Sequence, residues 1–158
     1  MTGSGWPARR RTARAAPAAA PIAIFLADSL DAPAKASSRF FAWNREKDTA
    51  DRFAAVADRL QDELGAQVFL VAGPAEQALV AQIRSHTRTH VVALDRAFSV
   101  GQFAALLAQF DVFLCHDSGP MHVAAAVGTP VVALFSSQNA TIWRPLGDRH
   151  TVLQTTLP

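Results

Sequence analysis

The sequence predicts an α/β domain in which a parallel sheet carries helices on both faces. Three observations support this prediction. Half of the 158 residues are hydrophobic, so the chain can bury a substantial core. Short apolar runs alternate with longer amphipathic stretches from residue 21 onward, and the runs are rich in β-branched and aromatic residues. Such alternation implies right-handed βαβ crossovers, and the predicted arrangement is therefore Rossmann-like.

The first predicted strand is PIAIFLAD, residues 21–28. A loop is predicted over residues 29–48, which are rich in Ser, Ala and charge and have no clean periodicity. The next stretch, residues 49–65, predicts a helix with Thr49 as its N-cap and Gly65 as its C-terminal stop. Spacings of three and four predict that one face of this helix is formed by Phe53, Val56, Ala57, Leu60 and Leu64.

The rest of the chain continues the alternation. Three more helices are predicted. The first begins at Pro74, the second is capped by Ser99 and the third ends at Gly128. These helices cover residues 74–85, 99–110 and 118–128. Strands are predicted at residues 66–73, 89–94, 111–116 and 129–135, with a turn at 144–148 and a last extended piece at 150–155.

The basic residues are concentrated at the start of the chain. Residues 1–20 are rich in Ala, Arg and Pro and contain no acidic residue, and they are predicted to be a disordered tail, with the folded domain at 21–158. Without the tail the chain no longer has more basic than acidic residues, which argues against nucleic acid as a partner. A targeting peptide or a basic arm for phosphate or lipid is the alternative role. Four arginines carry this charge: Arg9, Arg10, Arg11 and Arg14.

Other compositional features narrow the class of protein. No apolar run approaches the roughly 20 residues that a transmembrane helix needs, and no secretory h-region is visible. A cytoplasmic location is therefore expected. The single cysteine, Cys115, excludes an internal disulfide and a multi-cysteine zinc site.

The loop that carries most chemistry is HDSGPMH, residues 116–122. In a doubly wound sheet, ligands bind outside the carboxyl ends of the strands. Ser118 and Gly119 lie at the expected helix start, where free N–H groups and the helix dipole favour an anion such as phosphate. His122 is one turn into the helix, where its imidazole can reach the same anion. Asp117 can accept hydrogen bonds from hydroxyl groups.

Alternatives exist for each residue of this loop. Asp117 or Ser118 can simply cap the helix, and His122 can be a packed, hydrogen-bonded histidine. Cys115 is interpreted as a buried small hydrophobe, and a metal site with His116 and His122 is disfavoured because adjacent strand residues point to opposite faces. A serine hydrolase is disfavoured because the glycines of G-x-S-x-G are missing. A dinucleotide site is disfavoured because G-x-G-x-x-G is absent.

A second polar cluster, AGPAEQ at residues 72–77, follows the second strand. Glu76 falls in the first turn of the next helix. Its carboxylate either stabilises the helix dipole or accepts the 2′ and 3′ hydroxyls of a ribose.

Together these motifs resemble glycosyltransferase family 9, the ADP-heptose:lipopolysaccharide heptosyltransferases and their relatives. The family pattern is roughly D-[ST]-G-x-x-H-x-A-A-A-x-G-x-P, and the stretch from Asp117 to Pro130 matches it nearly throughout. The resemblance extends over residues 21–158, including the G-P-x-E loop and the WRPLG turn at 143–147.

The resemblance implies the C-terminal, donor-binding domain of a GT-B glycosyltransferase. It implies that Glu76 binds the nucleotide ribose, Ser118 and Gly119 the diphosphate, His122 the phosphates and Asp117 the sugar. The expected donor is ADP-heptose or a related nucleotide sugar, with no cofactor and no metal. The expected reaction is inverting hexosyl or heptosyl transfer in lipopolysaccharide core or related glycan synthesis.

Two departures from the family affect the donor site. A lysine common two residues before the loop tryptophan is replaced by Phe41, which leaves Arg39 as the nearest cation and candidate donor-binding residue. Residues 136–140 read SSQNA where relatives usually have G-P-T-D-P, which leaves the adenine or sugar preference open.

The family resemblance also implies partners. The general base of the family lies in an N-terminal half that these residues do not supply, so catalysis is expected only with such a half and a glycolipid acceptor. A truncated product, a split enzyme and a retired enzyme all fit this pattern. The rival readings are a non-catalytic nucleotide or phosphosugar module and an inactive remnant. Peripheral association with the inner membrane is left open.

Overall fold

The computed structural model describes residues 19–25, 47–135 and 139–154. Several predictions fall elsewhere. The tail up to residue 18, the loop with Arg39 and Phe41, and residues 136–138 lie outside the described residues.

Within the described residues, six parallel strands form one sheet in the order β3-β2-β1-β4-β5-β6. This order confirms the predicted parallel α/β architecture and is that of a doubly wound fold. The strands are β1 Pro21–Phe25, β2 Gln67–Val71, β3 Val92–Leu94, β4 Val112–His116, β5 Val131–Phe135 and β6 Thr151–Gln154.

The described helices alternate with the strands along the chain. They are α1 Lys47–Leu64, α2 Gln77–His86, α3 Val100–Leu107, α4 Gly119–Ala126 and the short α5 Ala140–Trp143. A single 3₁₀ turn, Pro74–Glu76, precedes α2, so the helix predicted from Pro74 begins as 3₁₀ and continues as α. None of the helices in these ranges is long and apolar enough to cross a membrane.

Each face of the sheet has its own core. On the α1–α2 face, small and branched side chains of the two helices pack on Val68 and Leu70 of β2 and Ile24 of β1. On the α3–α4 face, the core is built around Phe113 of β4 and Phe135 of β5. Neighbouring strand residues alternate between the two cores, as the period of two in a strand requires.

The predicted cap of α3 and the predicted glycine stops of α1 and α4 are confirmed. Ser99 caps α3: its hydroxyl accepts from Gln102 N–H at 3.3 Å, and the Gln102 side chain accepts from Ser99 N–H at 3.0 Å. Gly65 and Gly128 follow α1 and α4 with φ of 60° and 80°, the left-handed conformation that glycine adopts without strain.

The prediction for the first helix was partly wrong. The helix begins at Lys47, so Thr49 lies within it and is not its N-cap. Ala57 is buried and Phe53 and Leu60 are partly buried as predicted, but Val56 is 39% exposed and Leu64 is 67% exposed. The helix instead packs on the sheet through alanines, because their small side chains allow close contact. These are Ala50, Ala54 and Ala57. The buried face of α1 is therefore rotated away from Val56 and Leu64.

The third strand is shorter than predicted. Residues 89–94 were expected to form it, but β3 contains only Val92–Leu94. Thr89 N–H donates to the Asp58 carboxylate at 2.9 Å instead of to a neighbouring strand, so the sheet pairing begins later. At the other end of the chain, Asn139 caps the unpredicted α5 by accepting from Thr141 N–H at 2.9 Å.

Candidate functional site

The candidate site lies where the strand order of the sheet reverses. β1 and β4 are neighbours, yet β1 is followed by α1 on one face and β4 by α4 on the other. In open α/β sheets this switch point leaves a crevice at the carboxyl ends of the strands. Three of the strand-to-helix loops are described, those beginning at Gly73, Asp95 and His116, and all three lie at this edge.

The β4–α4 loop leaves the start of α4 open. Ser118 precedes the helix in an extended conformation, with φ of −163°, and its side chain makes no capping hydrogen bond. Its hydroxyl donates instead to His116 O at 3.2 Å. Within the described ranges, no protein group accepts from the N–H of Ser118 or Gly119. The capping alternative is therefore wrong for the Ser118 side chain, and two backbone donors have no acceptor among the described residues.

Pro120 and His122 complete the first turn of α4. Pro120 is buried at a position where its missing N–H removes no helical hydrogen bond. His122 is exposed, so it is not the packed histidine that was the alternative. The helix thus presents donors and an accessible imidazole at one end.

Asp117 is a half-buried carboxylate beside this helix start. Burial raises its pKa, and the charge of His122 opposes that rise, which means that the two side chains are close enough to interact. Its N–H donates to Leu134 O at 3.2 Å, but no described group donates to its carboxylate. Asp117 therefore does not cap α4.

Cys115 has no part in this chemistry. Its side chain is 1% exposed on the α3–α4 face, and burial, with a smaller contribution from the Asp117 charge, raises the pKa of the thiol far above its usual range. The interpretation as a small buried hydrophobe is confirmed. In the three described segments, no group of three or more His, Cys, Asp or Glu side chains could hold a metal ion.

The β2 loop brings a second carboxylate to the same edge. Glu76 N–H donates to Gly73 O at 3.2 Å, and Glu76 Oε2 lies 2.9 Å from the place where a Cβ on residue 73 would be. The absence of a side chain at Gly73 is what makes room for the carboxylate. Gln77 Nε2 donates to Asp95 O at 3.2 Å and joins this loop to the one after β3.

The two polar clusters are separated by one strand. β1 lies between β2 and β4, so two strand spacings, about 10 Å, separate the loops with Glu76 and Asp117. An extended ligand laid along the edge can therefore reach both. The importance of Gly73 was missed in the sequence, although a glycine three residues before a loop carboxylate was the available signal.

Comparison with known proteins settles which family this architecture represents. The chain matches the family model described as glycosyltransferase family 9 (heptosyltransferase) over residues 8–158. It belongs to glycosyltransferase family 9. The match confirms the family indicated by the Asp117–Pro130 motif.

Individual relatives of this family-9 chain agree with that assignment. It is 35% identical over 109 residues to lipopolysaccharide heptosyltransferase 3 of Escherichia coli, an alignment that covers 67% of this chain and 30% of the relative. A family-9 glycosyltransferase of Veillonella parvula superposes with a TM-score of 0.68 at 26% identity, over 87% of this chain and 35% of that chain.

A third protein shares the fold. An E. coli heptosyltransferase solved with ADP has a TM-score of 0.62 at 18% identity, over 86% of this chain and 38% of that chain. At this identity the likeness concerns the fold alone. The family-9 chain thus spans about a third of the length of the relatives it matches.

Proposed function

We propose that this domain is the donor-binding half of a sugar-nucleotide-dependent glycosyltransferase of the heptosyltransferase type. The observation that carries the proposal is the open start of α4. The N–H groups of Ser118 and Gly119 have no acceptor in the described residues, and Asp117 and His122 flank them in the chain. Family membership supports a nucleotide sugar as the ligand.

The diphosphate of the donor occupies the helix start in this proposal. Two unpaired N–H groups and the positive end of the helix dipole favour a phosphate oxygen there. His122 contacts the same phosphates through its side chain. During transfer, negative charge develops on the departing diphosphate, and donors that already point at it stabilise that charge without reorganising.

The two carboxylates bind hydroxyl groups. Asp117 accepts from the donor sugar, for which its half-buried carboxylate, with no donor among the described residues, is suited. Glu76, about 10 Å along the sheet edge, accepts from the ribose hydroxyls. Arg39 is retained as a candidate diphosphate ligand, and it lies outside the described residues.

The complete reaction requires more than this domain. We propose inverting, metal-independent transfer to a glycolipid acceptor in lipopolysaccharide core or related glycan synthesis, performed together with an N-terminal half that supplies the general base. The length of the matched relatives, about three times the aligned part, supports a second half. The assignment of residues 21–158 as one domain and the cytoplasmic location remain predictions from the sequence.

Donor binding can be tested by thermal unfolding with ADP, UDP and ADP-heptose. A ligand at about 100 times its Kd stabilises the folded state by about 2.7 kcal/mol, which raises the Tm by roughly 5–10 °C for a domain of this size. ADP is included because an E. coli heptosyltransferase that shares this fold was solved with it. We expect a shift with ADP and ADP-heptose that Asp117→Ala and His122→Ala reduce.

The matched control is His90→Ala. His90 is an exposed histidine before β3, at the opposite edge of the sheet, so its removal should leave the ligand shift intact. If the wild type and all three variants respond alike to every nucleotide, the proposed site is wrong. If the wild type gives no shift at all, an inactive remnant is the better description.

Catalysis is tested separately from binding. The domain is mixed with the N-terminal half of a family-9 relative, ADP-heptose and a lipopolysaccharide-core acceptor, and the heptosylated product is measured by mass spectrometry. Product that depends on both halves supports a transferase. Donor binding without product in combinations with several relatives would favour the non-catalytic module.

A further inference from the structure

The exposed apolar side chains of this domain are concentrated near β6. Eight large hydrophobic side chains are exposed in the described ranges, and four of them lie between residues 142 and 153. Ile142 and Trp143 of α5 and Leu146 of the following turn are 69%, 53% and 86% exposed. Single exposed apolar residues are ordinary, whereas a concentration of large ones indicates an interaction surface.

Buried residues hold this segment from the inside. Ala140 and Pro145 are buried. The ring of His150 fixes the end of the turn: Nδ1 accepts from Val131 N–H at 3.2 Å, and Nε2 lies 3.0 Å from Leu146 O. The three exposed side chains come from five consecutive residues, so their Cα atoms are no more than about 14 Å apart. They are therefore presented together on anchored backbone.

The segment lies beside the sheet and away from the candidate donor site. β6 is the outermost strand, two strands from β4. Val131 is the first residue of β5, so its bond to His150 brings Leu146 O toward the edge of the sheet opposite the ligand loops. A partner that sits on this segment leaves the crevice at the carboxyl ends of the strands open.

Two arginines accompany the apolar side chains. Arg144 and Arg149 are exposed, and in the part of the chain that the structure describes no carboxylate forms an ion pair with either. Arg149 makes one hydrogen bond, from Nη1 to Gly128 O at 3.4 Å. Asp148 is the only acidic residue in the sequence from 119 to 154. The segment therefore carries a net positive charge.

The other side of the domain has the opposite charge. α1 contains five acidic and three basic residues and packs on β1 and β2. Three strand spacings, about 14 Å, separate β1 from β6. An anionic surface is therefore repelled at α1 and attracted near β6. Tryptophan and aliphatic side chains next to arginines suit the headgroup region of a membrane, where the apolar parts enter and the guanidinium groups contact phosphates.

We propose that this surface, the β6 flank, docks the domain onto an anionic lipid surface. The apolar side chains enter the headgroup region, and the two arginines pair with lipid phosphates. The inference rests on the proposed function in one respect, because a glycolipid acceptor is held in such a surface. The β6 flank consists of Ile142, Trp143, Arg144, Leu146 and Arg149.

The first test is sedimentation of the full chain with vesicles of equal parts phosphatidylglycerol and phosphatidylcholine. Trp143→Ala and Leu146→Ser are each expected to weaken binding about five- to tenfold. The matched control is Leu64→Ser, which removes a similarly exposed leucine at the end of α1 and should leave binding unchanged. A wild type that does not bind, or a control as weak as Leu146→Ser, overturns the proposal.

The arginines are tested on the same vesicles. Arg144→Gln and Arg149→Gln should each weaken binding about fivefold, and neither should change it on vesicles of phosphatidylcholine alone. Arg84→Gln, which removes an exposed arginine of α2, is the control for net charge. Equal weakening by Arg84→Gln would show that net charge, and not the β6 flank, attracts the lipid.

The basic tail is the rival lipid-binding element. Its four arginines are replaced by glutamine in one full-length variant. If this variant loses vesicle binding while the variants of the β6 flank bind like the wild type, the tail carries the binding and the proposal is wrong. The replaced residues are Arg9, Arg10, Arg11 and Arg14.

Tryptophan fluorescence provides a readout of insertion. In a Trp6→Phe, Trp43→Phe background Trp143 is the only tryptophan, and vesicles should shift its emission to shorter wavelength and brominated lipid should quench it. Vesicle binding without either change overturns the proposal. Dimers in gel filtration that Trp143→Ala abolishes would identify the flank as an interface between copies of this chain instead.

The donor site is assayed separately by the thermal shift with ADP. Trp143→Ala should keep that shift, because the β6 flank lies outside the crevice. If the wild type responds to ADP but does not bind vesicles, this inference fails alone. If it binds vesicles through the flank but does not respond to ADP, the proposed function fails and the docking surface stands.

Discussion

Two aspartates in this domain show opposite designs. Asp58 of α1 is 5% exposed and accepts from Arg88 N–H at 3.0 Å, Thr89 N–H at 2.9 Å and the Thr89 hydroxyl at 2.6 Å. Asp117 is half-buried and accepts from no described donor. Burial alone would raise the pKa of both carboxyls. Hydrogen bonds and the Arg88 charge reverse the effect at Asp58 and lower its pKa, whereas the pKa of Asp117 stays raised.

The comparison distinguishes a carboxylate that stabilises the fold, Asp58, from one that is a candidate for binding a ligand, Asp117. Asp58 joins α1 to the segment before β3, and every oxygen is used within the protein. Asp117 is partly desolvated, and the charge of His122 offsets this only in part, which reduces stability. Of these two aspartates, Asp58 is therefore structural, and Asp117, to which no described group donates, is the functional candidate at the switch point.

Removing the Asp58 carboxylate should have the largest effect on stability. Asp58→Ala leaves three partly buried donors without their acceptor and is expected to lower the free energy of unfolding by about 3 kcal/mol. Urea unfolding measures it. The control is Asp62→Ala, which removes an exposed ion pair between Asp62 and Arg88 at 2.9 Å and should change stability by less than about 1 kcal/mol. Equal effects would contradict the structural role of Asp58.

The pH dependence of stability should follow the lowered pKa of Asp58. An aspartate titrates near 3.9 in the unfolded chain. Because its folded pKa is lower, Asp58 stabilises the fold fully above that value, and the stabilisation is lost as the pH falls through the folded pKa. Asp58→Asn should therefore lose less stability than the wild type between pH 5 and pH 2 in urea titrations. Parallel curves would show that Asp58 is not responsible.

Asp117 should behave as the reverse of Asp58. Its raised pKa means that the ionised form is disfavoured in the folded state, so its unfavourable contribution is present at pH 7 and is relieved as the pH falls. Asp117→Asn is expected to leave the Tm at pH 7 unchanged or slightly raised, while the affinity for ADP-heptose falls at least tenfold, about 1.4 kcal/mol. A destabilised variant with normal affinity would reverse the comparison.

The smallest effect is expected at the second carboxylate. In Gly73→Ala the new Cβ would lie 2.9 Å from Glu76 Oε2, so the flexible carboxylate must move. Gly73 has φ of −82°, which alanine adopts readily, and stability should change by less than about 0.5 kcal/mol. The affinity for ADP should fall about three- to tenfold, because a charge-assisted hydrogen bond to the ribose is lost.

A second glycine provides the control for this variant. Gly101 lies in the first turn of α3 with open space around it, so Gly101→Ala should stabilise the domain by about 0.5–1 kcal/mol and leave ADP affinity unchanged. If both glycine variants bind ADP as the wild type does, the position of the Glu76 carboxylate does not matter for the nucleotide.

Much of the candidate site could be predicted because its chemistry is local in the chain. Asp117, Ser118, Gly119 and His122 lie within six residues, and a strand before them and a helix after them place any such loop at the ligand edge of a parallel sheet. The direction of the Ser118 hydroxyl could not be predicted, because two acceptable partners compete for it. The edge-on contact between the rings of Phe53 and His116 was also missed, because those residues lie far apart in the chain.

Local patterns by themselves determined the alternation of strands and helices, the capped start of α3, the glycine stops of α1 and α4, and the family. These features depend on side chains a few residues apart. Only the tertiary structure decided the strand order, the buried row of alanines on α1 and the start of β3 at Val92. In each case the reason is a contact between segments that lie far apart in the chain. Asp58, for example, joins α1 to the segment before β3 only because Arg88 and Thr89 donate hydrogen bonds to it, and the residue pattern within α1 does not predict those bonds.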